Sequence, residues 1–378
     1  VIPWVTVETL APDVQTVASV GNEARGFAGW RRVLQRILSK TPALYDSLST
    51  RGIGEAIDAA QKLAEDVDLT IPTSSGPHRL LIRPVFGPAR QVHALRIWLG
   101  PGSEKVPELR PAVGVSWDLD AQMICQPNGI SGLPGMVAEE YVPRMSLAEV
   151  FHRLTGFDRH AEVLSLLYGP QAGDKLQFEA AVRTGSGAPA KLLITIRARV
   201  DARVRGAWLL IEDITSETTT VSAPTLEHVG LREAHRRAGT HLAVIQISHA
   251  SIAHWLTDPA PWIRWDYLFR PVDVFHPDDR ARLPMVADRL LAGESAGLTV
   301  RTLDYGGDYQ STSLLLHPYP GIRHRDLAIG QLVRAAGERP MLDDSRYGLP
   351  MQRVRTPIGY DHQLRHWLAG RQNHSPAF

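Results

Sequence analysis

Apolar Val5 and Val7, and then the stretch 14–20, alternate with polar residues, which predicts two strands joined by a turn around residues 11–13. The period then changes. Trp30, Val33, Leu34, Ile37 and Leu38, and later Ile53, Ile57, Ala60 and Leu63, recur at the spacing of helices with one apolar face. Residues 79–86 and 91–99 return to strand patterning around a turn that carries Gly87 and Pro88. The order strand, strand, helices, strand, strand predicts a small antiparallel sheet with helices on one face.

A second segment opens with Val113, Val115 and Trp117, a turn at 118–121 and a strand at 123–125. A mixed helical and loop region follows. The segment closes with strands at 176–183, 191–200 and 207–214, the first two joined by a Gly-rich turn at 184–189. The third segment repeats the plan. Val150-Phe151-His152 and Val274-Phe275-His276 each open a helical stretch that leads to a hairpin, with turns at 185–187 and 306–308. Such a repeat suggests duplication of one module.

Two stretches resist regular structure. GPGSEKVPELRP at 100–111 is rich in Pro and Gly, and TSETTTVSAPT at 215–225 is a Ser/Thr tract before a helix-like segment at 226–238. They divide the chain into modules at 1–110, 111–220 and 221–335, with a C-terminal extension at 336–378. The fold class expected is α+β: three modules, each a mainly antiparallel five-stranded sheet with helices on one face.

Composition narrows the function. With 41 Lys+Arg against 40 Asp+Glu and a net charge of +1, the chain has no field to attract a polyanion, so nucleic acid is not an expected partner. A single cysteine, Cys125, excludes an internal disulfide and any multi-cysteine metal site, and fits a reducing, cytoplasmic compartment. No apolar run is long enough to span a membrane, and the start lacks a secretory pattern.

VFHPDDR at 274–280, followed by a helix to Leu291 and the strand LTVRTLD, resembles the helix start before the central hairpin of the PAS family. Pro277 suits a first helical turn, and Asp278 and Asp279 favour its positive end. WDLDAQMICQPN at 117–128 and the GLPG turn ending at Gly135 resemble the opposite end of the family pattern, although Arg153 stands where the motif would place Pro. The N-terminal segment is GAF- or PAS-like, and its strand order also suits a profilin- or roadblock-like module. The whole is similar to an actinobacterial family of triple sensor-domain proteins without an output domain. That resemblance implies a cytosolic, non-catalytic signalling protein, a homodimer, with an unassigned small-molecule ligand or protein partner.

Chemistry-bearing motifs are few. Gly306-Gly307-Asp308 resembles the start of a diguanylate cyclase signature but lacks its continuation, and a tight β-turn explains it. His249 and His254, beside Trp255, Trp262, Trp265 and Phe269, sketch an aromatic-walled pocket with a histidine, yet their spacing is wrong for a metal on one helix. Haem and flavin are therefore not expected: Cys125 sits on a strand, outside the setting of a flavin-reactive thiol. Trp117, Phe151, Phe157 and Phe275 complete the candidate pocket walls, with plain core packing as the competing reading. DHQLRHWL at 361–368 has an apolar helical face that suits packing on the third module or a partner. No elbow, phosphate loop or metalloprotease helix is present, so no enzyme is expected. The remaining alternative is a ligand-free interaction scaffold with filled cores.

Overall fold

The computed structural model describes residues 2–335 except 12–13, 40–49, 137, 202–203, 217–218, 221–223, 267–270 and 321–325; Phe269 and the segment 361–368 lie outside the described residues. Residues 1–335 form one compact unit.

Three sheets are built in turn, and every strand pairing is antiparallel. The first contains β1 (Val5–Ala11), β2 (Val14–Val20), β3 (Glu23–Gly29), β4 (Val67–Ile71), β5 (His78–Phe86) and β6 (Val92–Pro101), in the order β3-β2-β1-β6-β5-β4. Helices α1 (Trp30–Leu38) and α2 (Thr50–Leu63) follow β3. The second contains β7 (Ala112–Asp118), β8 (Met123–Cys125), β9 (Arg144–Met145), β10 (Lys175–Arg183), β11 (Pro189–Val200) and β12 (Arg205–Asp213), in the order β10-β11-β12-β7-β8-β9. Between β9 and β10 stand α3 (Leu147–Arg153) and α4 (His160–Tyr168). The third contains β13 (Thr240–Gln246), β14 (Ser251–Trp255), β15 (Ala296–Leu303), β16 (Tyr309–Pro318) and β17 (Leu327–Arg334), in the order β14-β13-β17-β16-β15. It is entered through α5 (Leu226–Ala238) and carries α6 (Pro277–Arg280) and α7 (Ala287–Leu291).

All three sheets share one plan: the first and last strands of each module are central neighbours, and the second strand and the closing hairpin flank them. The first two sheets have a sixth strand, β3 or β9, beyond the second strand. The VFH repeat, however, does not mark equivalent positions. Phe275 bridges to Thr302 on β15, whereas the residue that bridges to the matching place on β10 is Gly156, opposite Ala181. Phe151 lies within α3 instead.

Each sheet buries one face under its own helices. Val5, Val7, Ile82, Leu95 and Ile97 pack with Trp30, Ile53 and Ile57 in the first module. The other faces are not left to water. Leu10, Ala18, Val85 and Ala94 of the first sheet meet Leu210 of the second, so these two sheets pack back to back. The helices of the second module in turn lie on the back of the third sheet, where Val244, Ala253 and Leu327 join the second core. Phe275, Trp255 and Ile245 fill the third core on the opposite face.

Candidate functional site

The junction between the second and third modules begins at the α3 cap. The Ser146 hydroxyl accepts a hydrogen bond from the Glu149 N–H at 3.2 Å, and buried Glu149 pairs with Arg153 at 3.2 Å, which fixes a short helix that could not persist alone. That helix lies against β14 and brings Phe151 and His152 to the back of the third sheet. Phe151 stacks on Phe157 with centroids 5.4 Å apart and meets the edge of His254 at 4.9 Å. Phe157 stacks on His160 at 3.8 Å, and His160 lies 5.1 Å from His254. His152 meets Trp265 edge-on at 5.1 Å, and Trp265 meets Trp255 at 6.4 Å. One continuous aromatic and histidine chain thus crosses the junction.

Its centre is electrostatically unusual. His254 Nδ1 is buried with no hydrogen-bond partner. Burial, reinforced by the nearby His160, His152 and His228, pushes His254 down to about 3. His160 is pushed down as well, chiefly by burial, with Asp158 opposing and His228 adding to the shift. Both rings are therefore neutral near pH 7, and a proton entering here would arrive among other imidazoles with no carboxylate hydrogen-bonded to His254.

The junction between the first and second modules holds a similar ring. His93 is fully buried and stacks on Trp208 at 4.7 Å, while Arg199 covers the Trp208 ring at 4.1 Å. His93 Nδ1 lies 2.9 Å from the Leu209 carbonyl, and Nε2 has no partner. Burial pushes this imidazole down to about 4. The backbone closes so tightly around it that a Cβ at Gly114 would lie 2.5 Å from the ring. Beside it, Arg197 donates to Glu8 at 2.6 and 2.9 Å, and Ser19 donates to Glu212 at 2.7 Å, all buried between the sheets. Burial pushes the Glu212 carboxyl up.

The sequence-derived candidates divide among separate places. Trp117 is core, its Nε1 donating to the Leu167 carbonyl at 2.8 Å. Cys125 is half-buried on β8 opposite Ser116, and burial raises its thiol, so it is no activated nucleophile. Phe151 and Phe157 stand at the junction. Trp255, Trp265 and Phe275 fill the third core, and Trp262 Nε1 donates to Thr312 at 3.1 Å. His249 occupies the β13–β14 turn, donating its N–H to Gln246. His276 caps α6, and Asp279 just beyond it receives the Arg301 N–H at 2.8 Å and Nε at 2.9 Å, so the HPDDR motif ties α6 to β15. Sequence reasoning missed His152, His160, His228 and His93, which lie on different elements with no shared spacing.

Among the described residues, no group of three or more His, Cys, Asp or Glu side chains is placed to hold a metal. A polar recess of about 230 Å³ lies apart from these aromatics, lined by Glu179, Lys191, Ser216 and Thr219 among others. No described helix is long and apolar enough to cross a membrane.

Comparison with known proteins places this architecture. No curated protein matches the chain. A structure titled as an RNA-binding light-oxygen-voltage receptor covers 59% of the chain and 95% of its own, at 12% identity and a TM-score of 0.24. A sensory box histidine kinase/response regulator from Burkholderia thailandensis E264 covers 34% and 91%, at 16% identity and a TM-score of 0.23. Scores that low support no fold argument. An uncharacterized protein from Mycobacterium tuberculosis is different: its crystal structure aligns over 93% of this chain and 100% of its own, with 18% identity and a TM-score of 0.70. Residues 3–108 match the family model described as Rv3651-like, N-terminal, and nearly the whole chain shares the three-module fold of that mycobacterial protein.

Proposed function

We propose that this chain is a non-catalytic, cytoplasmic sensor-type protein that reads its signal at the junction of the second and third modules and passes it to a partner through α5. The observation that carries the reading is the aromatic and histidine chain from Phe157 through His160 to His254, with a buried ring nitrogen that has no partner. A native core rarely leaves such a group unsatisfied without a functional reason. His228, near both His160 and His254, stands on α5 and couples that helix to the junction. The ligand class that fits is a small planar molecule with an acid or hydroxyl group, which would part the rings and donate a hydrogen bond to His254 Nδ1.

The second reading is a ligand-free interaction scaffold. The filled cores favour it, since Trp117 and Phe275 are buried within their modules. One experiment separates the two. A thermal-shift screen of planar carboxylic acids and phenols is followed by amide hydrogen exchange on each hit. The sensor reading expects at least one compound to raise Tm and to change protection in α5 and β14, with the effect lost in His254→Phe. Absence of any hit, or hits whose protection changes are confined to other sites, would leave the scaffold reading.

A further inference from the structure

Helix α5 is defined at both ends. Thr225 accepts from the His228 N–H at 3.2 Å, and Gly239 closes the other end in a left-handed conformation at φ 64°. Yet none of its residues is buried. A helix of this length is marginal in water unless it packs against something, and a surface helix normally turns its apolar face inward.

Helix α5 does the reverse. His228, Arg232 and His235 fall on one side, at i, i+4 and i+7, and this side faces the body. Arg232 is ion-paired with Asp258, His235 Nδ1 lies 2.6 Å from the Thr240 hydroxyl, and His228 lies near His160 and His254. At 100° per residue the opposite side carries Leu226, Val229, Gly230, Glu233, Ala234 and Arg237. Leu226 is 84% exposed and Val229 48%, and a Cβ at Gly230 would meet nothing within 4 Å. The polar face is on the protein and the apolar face is in solvent.

Charge selects the occupant. Glu227 stands in the first turn, and His235, Arg236 and Arg237 in the last, so the helix is acidic at one end and basic at the other. Two copies related by a two-fold axis run antiparallel, which sets Glu227 of each beside Arg236 and Arg237 of the other. A parallel pair would set like against like. We propose that the outward face of α5 docks a second copy of this chain in an antiparallel, two-fold pairing centred near Leu231. This deepens the relay reading above, because it names the partner that α5 addresses. A patch on a helix about 20 Å long is at the small end of specific interfaces, so the dimer dissociates in the micromolar range.

Sedimentation equilibrium of the full chain tests it, with far-UV circular dichroism and Tm as folding controls. The native protein should show a monomer–dimer equilibrium, and Leu226→Glu with Val229→Glu should raise Kd at least tenfold while Tm is unchanged. Glu227→Lys alone and Arg237→Glu alone should each weaken self-association several-fold. An equimolar mixture of these two single variants should recover it, because each new charge then meets its opposite across the axis. A native protein that is monomeric at 100 µM would overturn the proposal. So would single charge variants that dimerise like the native chain, the outcome expected of parallel pairing, or a mixture that stays monomeric. These results are separate from the sensing reading: a monomer that still answers a junction ligand in α5 refutes the pairing alone, and a dimer whose α5 ignores every junction ligand refutes the sensing alone.

Discussion

Acidification from pH 7.5 to pH 5 tests the buried histidines directly. The unfolded chain takes up a proton on each imidazole at the ordinary value of 6.5, whereas folded His254 waits until about 3 and folded His93 until about 4. Because both folded values are depressed bases, the stabilisation is fully present above the unfolded value and is lost as pH falls below it. At pH 5 the unfolded state has gained about 1.5 pH units of proton affinity per ring, a cost of about 2 kcal/mol each and about 4 kcal/mol together. That sum does not depend on whether the folded value is 3 or 4, since neither ring is appreciably protonated at pH 5. His160 and His241, also pushed down by burial, act in the same direction. Asp68, Asp279 and Glu233 have lowered values and stay ionised across this window, and the raised Glu212 is relieved by acid, opposing the loss. The groups that bear on His254 are His152, His160 and His228, and on His93 the Arg199 guanidinium, none of which can neutralise an added positive charge. Urea denaturation of the native chain, His254→Phe and His93→Phe at both pH values gives the comparison. Each variant should lose about 2 kcal/mol less than the native chain between pH 7.5 and pH 5, whatever its stability at pH 7.5. If all three proteins have the same pH slope, the rings titrate normally in the folded state and the junction argument fails.

Three further outcomes follow from the same packing. Arg197→Leu should cost roughly 3–5 kcal/mol in urea denaturation because Glu8 is left buried and charged, and Glu8→Leu added to it should recover most of that loss; a double variant no better than the single one contradicts this. Gly114→Ala should cost roughly 1–3 kcal/mol through contact with the His93 ring, with much of the loss relieved when His93→Ala is added, read as non-additivity in a double-mutant cycle. Phe151→Ala should cost roughly 3–5 kcal/mol and speed amide exchange in β14 and α4, leaving the first sheet unchanged, and uniform deprotection would show that Phe151 supports no particular junction.

Much of the fold was legible because one face of most strands follows a clean period. The hairpins of the second and third modules and the span of α5 appear in the pattern as they do in the structure. Strand β3 was not legible: EARGFAG has no apolar alternation, being an exposed edge strand with nothing to bury. Strand β4 did leave a signal, since Val67, Leu69 and Ile71 alternate, but it is short and exposed at its centre. The back-to-back packing was written in the sequence too. LLITI at 192–196, AWLLI at 207–211 and LAVI at 242–245 are continuous apolar runs where a half-buried strand would alternate, and such runs mark strands covered on both faces. The histidine chain had no such trace. His152, His160, His228 and His254 come from four elements, and their meeting depends on the second module's helices docking on the third sheet, which no local spacing encodes.

The three sheets share a strand order but differ in what covers their backs, and that difference makes the second junction the responsive one. The first two sheets meet face to face through Leu10, Ala18 and Leu210, locked by the buried Glu8–Arg197 pair, so loosening them exposes charge as well as apolar surface. At the second junction, two short helices of seven and nine residues stand between the second and third sheets. Short helices held by packing shift more readily than paired sheets, and here their contacts are aromatic rings without buried ion pairs across them. The back of the third sheet is also only partly covered: Val244 and Ala253 are buried by the second module, while Ser311, Ser313 and Leu315 on β16 remain exposed. A ligand that prefers an opened junction by about 1.4 kcal/mol changes the ratio of open to closed forms tenfold. Because His228 on α5 sits beside the same imidazoles, that shift changes the footing of the helix whose apolar side faces outward, and the first junction need not move at all.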